Sequence, residues 1–251
     1  MYLPKNFFNL SPSKKVEVKM EHCSSVPFNR VFKRSGIIPY IKIGSETFFV
    51  LSIFSGYEFD KFIDAELSDF GGRSELGETF IKCATNEAFE ESLGIFDFVG
   101  RERKINSTSH VVYKEDNSII LIFTPFTLQQ DCNVLNLQFG KRRNVISKRS
   151  VTKTQLRVNT KIFTRPTIDT RNELPIFIFN ENMRDKAFNP DESIGIIHIS
   201  GSDLLELMKD NQVPIPVSNR LSDKYKNYPL LYSIVKNCLL ETNIIEYIIS
   251  L

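Results

Sequence analysis

The stretch GGRSELGETFIKCATNEAFEESLG, from Gly71 to Gly94, constrains this chain more than any other. Residues 78–93 contain no Gly or Pro, and Gly94 stands where a left-handed helix cap is wanted, so the segment predicts a helix. Ile81, Ala84 and Ala88 fall on one face of it; two of them are small, which lets the helix pack close to a sheet. Glu87, Glu90 and Glu91 stand at i, i+3 and i+4, so three carboxylates converge on one face. Each like-charge pair costs a few tenths of a kcal/mol, about 0.3, unless something offsets it. A divalent cation reverses that sign, and compact hard oxygen ligands suit Mg²⁺ or Mn²⁺. Glu78 at the helix start complements the macrodipole. Gly71 and Gly72 let backbone come close to a metal or phosphate. The carboxylates on their own also describe a solvated helix face.

Around this segment the pattern alternates between strands and helices. GIIPYIKI from Gly36 and TFFVLSIF from Thr47, separated by Gly44-Ser45-Glu46, predict a β-hairpin. Strands are expected around residues 108–113 and 118–126, with the turn at 114–117, and again at 193–200. A further helix is expected from Ser202-Asp203 through LLELMK, with Ser202 as N-cap. Residues 1–30, with Pro4, Pro12 and Pro27, read as an irregular N-terminal arm. Residues 128–190 read as an insertion and 211–251 as a C-terminal helical extension. The expected architecture is α/β, a mixed sheet with helices on its faces.

Composition sets limits on function. With 251 residues the chain fits one large domain with elaborations. A net charge of +2 excludes a strongly basic nucleic-acid binder, so such binding needs a local patch, and no DNA-specific motif is legible. Cys23, Cys83, Cys132 and Cys238 form no C-x-x-C pair, and only His22, His110 and His198 accompany them, which argues against a Cys/His zinc site. Scattered cysteines suit a reducing compartment and a cytoplasmic location. The N-terminus lacks a signal-peptide core, and the apolar C-terminal stretch carries Lys236, Glu241 and Glu246, so an amphipathic helix is expected there and no membrane span. Between Lys141 and Arg165 runs a basic segment, with Arg142, Arg143, Lys148, Arg149, Lys153, Arg157 and Lys161. It reads equally as a surface attracting RNA or polyphosphate and as a solvated loop.

The segment from Gly72 resembles the signature of the Nudix hydrolase family. That signature is Gly, five residues, Glu, seven residues, Arg-Glu, an aliphatic residue, any residue, Glu-Glu, any residue, Gly. Gly72, Glu78, Glu87, Ala88, Glu90 and Glu91 match it in identity and spacing. The strand order extends the resemblance to most of residues 35–210. Two departures stand out: Asn86 replaces the signature Arg, and Ser92-Leu93 precede Gly94 where one residue is usual. Gly36-IIPY, Asp69-Phe-Gly-Gly and Glu-Glu-Ser-Leu-Gly also look like Nudix proteins of large DNA viruses, for which the location would be host cytoplasm.

The resemblance implies a Nudix-type α/β/α sandwich and a pyrophosphohydrolase, which cleaves a phosphoanhydride in a nucleoside diphosphate-linked substrate with a metal-activated water. Glu87, Glu90, Glu91 and the Gly72 carbonyl would hold Mg²⁺ or Mn²⁺. Glu87 and Glu91 are the catalytic candidates, with Glu78 supporting the cluster. Many family members add an acid from a later loop, here Asp191 or Glu192. Arg73, Lys141, Arg142 and Arg143 are candidates for substrate phosphates. The substrate is left open among a capped or triphosphorylated RNA end, a free nucleotide, a nucleotide sugar and a dinucleoside polyphosphate. Asn86 favours the competing reading, a catalytically weak nucleotide-binding or sensing protein.

Overall fold

The computed structural model describes residues 16–54, 66–126, 135, 138–142, 164–167, 176–178, 193–209 and 230–251. Its centre is a nine-stranded mixed sheet. The strands are β1 (Val18–His22), β2 (Arg34–Ile43), β3 (Glu46–Phe54), β4 (Glu66–Ser68), β5 (Phe70–Arg73), β6 (His110–Lys114) and β7 (Ile120–Pro125), joined by β10 (Ser193–Ser200) and β11 (Leu230–Leu231). A separate antiparallel pair is formed by β8 (Thr164–Thr167) and β9 (Ile176–Ile178), inside the expected insertion. The helices are α1 (Phe80–Glu91), α2 (Glu102–Thr108), α3 (Gly201–Met208), α4 (Ser233–Leu240) and α5 (Ile244–Ser250).

The expected hairpin is present: β2 and β3 pair antiparallel from Tyr40↔Phe49 to Ile43↔Glu46, and Gly44 takes the positive φ of 62° that the tight turn requires. The sheet is mixed because β2 runs parallel to β7, while β6 and β7 are antiparallel.

Both faces of the sheet are covered. Alternation along β2 sends Ile38 and Tyr40 into a core with Leu204, Leu207, Val235, Leu239, Ile244 and Ile248 of α3, α4 and α5. Ile37 instead joins the core that holds Phe80, Ile81, Ala84 and Ala88 of α1 and Ile105 of α2. The small face of α1 is thus buried, as its sequence predicts, and Ile81, Ala84 and Ala88 are completely inaccessible.

Four expectations need correction. Residues 18–22 are no irregular arm: they form β1, paired with β6 from Val18↔Lys114 to His22↔His110, because the exposed edge of β6 offers unpaired backbone groups. Helix α2 precedes β6, where no helix was expected; it lacks a side-chain N-cap and so carries little sequence signal. The cap of α3 is Ser200, whose Oγ accepts the Asp203 N–H at 3.1 Å, in place of Ser202. The C-terminal stretch folds as two short helices, not one. Thr242 at their junction turns its hydroxyl back to the Cys238 and Leu239 carbonyls at 3.4 Å. No helix among the described residues is long and apolar enough to cross a membrane.

Candidate active site

The site is built where β2 changes partner. Its C-terminal half pairs with β3, and its N-terminal half pairs with β5, from Arg34↔Arg73 to Ile37↔Phe70. The chain crosses from the β3 side to the β2 side between β4 and β5, and Asp69 is the residue at that crossing.

Asp69 is buried, and its carboxylate is gripped by the Arg34 guanidinium: Nη1 donates to Oδ2 at 2.7 Å and Nη2 to Oδ1 at 2.8 Å. Nη2 also donates to the Gly71 carbonyl at 3.0 Å. The Ser68 hydroxyl donates to Asp69 Oδ1 at 2.9 Å. The bidentate fork is the geometry that makes a buried pair tolerable, since each charge leaves water only with its partner's bonds in place. Burial works against charging Arg34, but Asp69 outweighs it and raises its pKa. Two glycines make room for this carboxylate. A Cβ on Gly36 would lie 1.7 Å from Asp69 Oδ2, and one on Gly71 would lie 2.5 Å from the same oxygen.

Helix α1 delivers its carboxylates to the end of β5. It starts at Thr79, whose side chain accepts the Lys82 N–H at 3.3 Å. It ends through Leu93 (φ 53°) and Gly94 (φ 75°), with the Gly94 N–H on the Phe89 carbonyl at 2.7 Å. The extra residue before Gly94 is therefore absorbed by a left-handed Leu93, beyond the carboxylates. Arg142 closes this end: it is buried, and Nη1 donates to the Leu93 carbonyl at 2.9 Å. Burial pushes its pKa down to about 10. Arg142, expected among the candidates for substrate phosphates, is thus held at the helix end. Lys141 beside it is exposed.

The structure brings Gly71, Gly72, Glu87 and Glu91 together. The Glu87 carboxylate fills the space over Gly72, so that a Cβ there would lie 2.5–2.6 Å from its atoms. Glu91 Oε2 accepts the Gly71 N–H at 3.0 Å. The carboxyl of Glu91 lies near Asp69, Glu87 and Arg34, and its pKa is raised well above the usual value. Desolvation is the largest cause, followed by the like charges of Asp69 and Glu87; Arg34 and the Gly71 N–H act the other way. The Gly72 carbonyl receives the Cys83 thiol at 3.8 Å, a weak contact. Glu90 lies half-buried on the same helix.

Glu78 sits before the helix, its Oε2 accepting the Glu75 N–H at 3.2 Å and its Oε1 the Asn86 Nδ2 at 2.9 Å. Asn86, which stands at the signature Arg position, therefore orients Glu78. Arg73 is exposed at the end of β5. Arg143, Lys148, Arg149, Lys153, Arg157, Lys161, Asp191 and Glu192 lie outside the described residues, as does Cys132.

Sequence reasoning did not assign Arg34 and Asp69 to the site. Their pairing spans 35 residues and depends on the β2–β5 register, which leaves no local periodicity. The only signals were indirect: an Asp beside a Gly-Gly pair, and a Gly opposite it in β2.

Chemically, the arrangement gathers acidic oxygens and a close-approach backbone around one point, with one guanidinium as internal counter-charge. Among the described residues no group of three His, Cys, Asp or Glu side chains is placed to hold a metal ion; the Glu87 and Glu91 carboxylates stand at glycines whose missing side chains leave the backbone open to them. No protein-family model matches the chain, and no curated protein matches it.

Proposed function

We propose that this chain is a Mg²⁺- or Mn²⁺-dependent Nudix pyrophosphohydrolase acting on a nucleoside diphosphate-linked substrate, such as a capped or 5′-phosphorylated RNA end or a free nucleotide. The observation that carries this reading is the seating of Glu87 and Glu91 of α1 on Gly72 and Gly71 of β5. A bound divalent cation supplies acidification of a water and neutralisation of phosphoryl charge.

Glu87, Glu90, Glu91 and the Gly72 carbonyl would hold the cation. Glu91 uses Oε2 on the Gly71 N–H, which leaves Oε1 to meet the cation or to take the proton of its water. Glu78, tied to Asn86, fixes the loop that leads into α1. Arg73 is exposed at the strand end and would meet substrate phosphate.

The test is a screen of phosphate release across nucleotides, nucleotide sugars and capped RNA, with and without chelator. Activity is expected only with Mg²⁺ or Mn²⁺, and Glu91→Gln should lower turnover by roughly a thousandfold. Hydrolysis that persists in excess chelator would remove the basis for this reading.

One observation favours a second reading, a nucleotide-binding protein of low turnover. Asn86 is neutral and spends its amide on Glu78, so no cation of this side chain supports Glu87. Tight nucleotide binding with no hydrolysis of any substrate would select it.

A further inference from the structure

We propose that β1 is a self-pairing edge: two copies of this chain join antiparallel through β1, about a two-fold axis at Met20, into one continuous sheet. The inference is independent of the hydrolase reading.

Strand β1 ends the sheet, with β6 on one side and no strand on the other among the described residues. Its bonds to β6 fall at odd positions: the Glu115 N–H donates to the Glu17 carbonyl at 3.0 Å, and the Cys23 N–H to the Ser109 carbonyl at 2.9 Å. By the alternation of an antiparallel pair, Val18, Met20 and His22 turn their N–H and C=O groups away from β6. Such a row is a template for another strand. The side chains alternate too. Val18 and Met20 pack against the core that α3, α4 and α5 cover, and the His22 ring lies edge-on to His110. On the opposite face Lys19 pairs with Glu115, and Glu21 accepts the Tyr113 hydroxyl at 2.9 Å.

Charge selects the occupant. Acid, base and acid alternate at Glu17, Lys19 and Glu21, and a lysine in the middle of an edge discourages an apolar strand. A second copy set antiparallel with Met20 opposite Met20 satisfies every charge within β1. Lys19 then faces Glu21 of the second copy, and Glu21 faces its Lys19. These are non-hydrogen-bonded positions, where opposed Cα atoms stand only about 4.5 Å apart and side chains meet most closely. The outward groups of Val18, Met20 and His22 meet those of His22, Met20 and Val18, for about six backbone bonds. An axis at Lys19 would instead set Lys19 against Lys19 and Glu17 against Glu21, like charges directly opposite. Met20 is the middle residue of β1, so its register keeps the whole strand paired.

The experiment is sedimentation equilibrium of the full-length chain at low salt, with melting curves to confirm that each variant is folded. A contact this small should give the native chain a dissociation constant of about 100 µM. Lys19→Glu and Glu21→Lys should each weaken self-association by about tenfold or more, since each sets like charges opposite one another. An equimolar mixture of the two variants should recover native-like association, because each supplies the charge that the other lacks. Loss of the Lys19–Glu115 pair within one copy cannot be repaired by mixing, so recovery reports contact between copies. Met20→Pro is the second variant if a charge change does not fold: its missing N–H faces away from β6, and it should abolish association on its own. A native chain that stays monomeric up to about 1 mM overturns the proposal and leaves the edge to residues 1–15 or to a different partner. Native-like association of either single charge variant, or a mixture that does not recover, overturns it equally.

Discussion

Glu91→Gln in the metal-free protein should raise stability at neutral pH and leave it unchanged in acid. The native carboxyl has a raised pKa, so the folded state binds its proton more tightly than the unfolded chain does. Between the ordinary value of 4.5 and the raised one, the folded state therefore carries more protons. Stability then falls as pH rises through that window, and the loss is complete above it. Gln keeps the shape and an oxygen for the Gly71 N–H but removes the charge that Asp69 and Glu87 oppose. Relief of the two like-charge contacts with Asp69 and Glu87 should therefore raise stability by up to about 1 kcal/mol at pH 8. For a domain of this size that is a rise of about 2–4 °C in melting temperature. Thermal melts of both proteins in chelator, from pH 4 to pH 8, test it. The two curves should coincide near pH 4 and separate as pH increases. A difference that is constant with pH, or largest in acid, would refute the assignment of Glu91 to an electrostatically opposed cluster.

Gly36→Ala should destabilise the fold by about 3 kcal/mol, because its Cβ would overlap Asp69 Oδ2 at 1.7 Å and the buried pair cannot move into water; a urea midpoint within error of native would contradict the packing. Arg142→Ala should cost about 1–3 kcal/mol by freeing the buried Leu93 carbonyl, whereas Lys141→Ala should leave stability within about 0.5 kcal/mol, a contrast read from parallel denaturation curves. Asn86→Arg should raise turnover several-fold, about fivefold, by placing a charge between Glu78 and the helix carboxylates; unchanged or lower rates at saturating Mg²⁺ would show that the neutral amide is not the limiting feature.

The legible parts of this protein were those with a local period or a local exception to one. The hairpin of β2 and β3, the strand β10 and the small-residue face of α1 follow from alternation and from i, i+3, i+7 spacing. The glutamates of α1 and the glycines of β5 were equally legible, since both lie within one short segment. What escaped was set by distant partners. Strand β1 exists because β6 has an edge to fill, and the polar run around it gives no sign of that edge. Arg34 meets Asp69 only through strand register. Arg142 looked like one cation among many until the fold placed the Leu93 carbonyl beside it.

The double partnership of β2 also shapes how the molecule reaches its folded state. Every piece of the carboxylate cluster lies between residues 34 and 91, so a nascent chain holds all of them early. Yet β2 takes its parallel neighbour from residues 120–125, and β3 takes β10 from residues 193–200, where Ser52 and Ser193 meet across 141 positions. Those edges stay unpaired until late in synthesis, and ladders of such separation close slowly. The glycine-lined crossing at Asp69 is thus assembled from early segments but locked by later ones, so pulse-labelled amide exchange should show the free edge of β2 protected only after β7 has docked, and that of β3 only after β10 has.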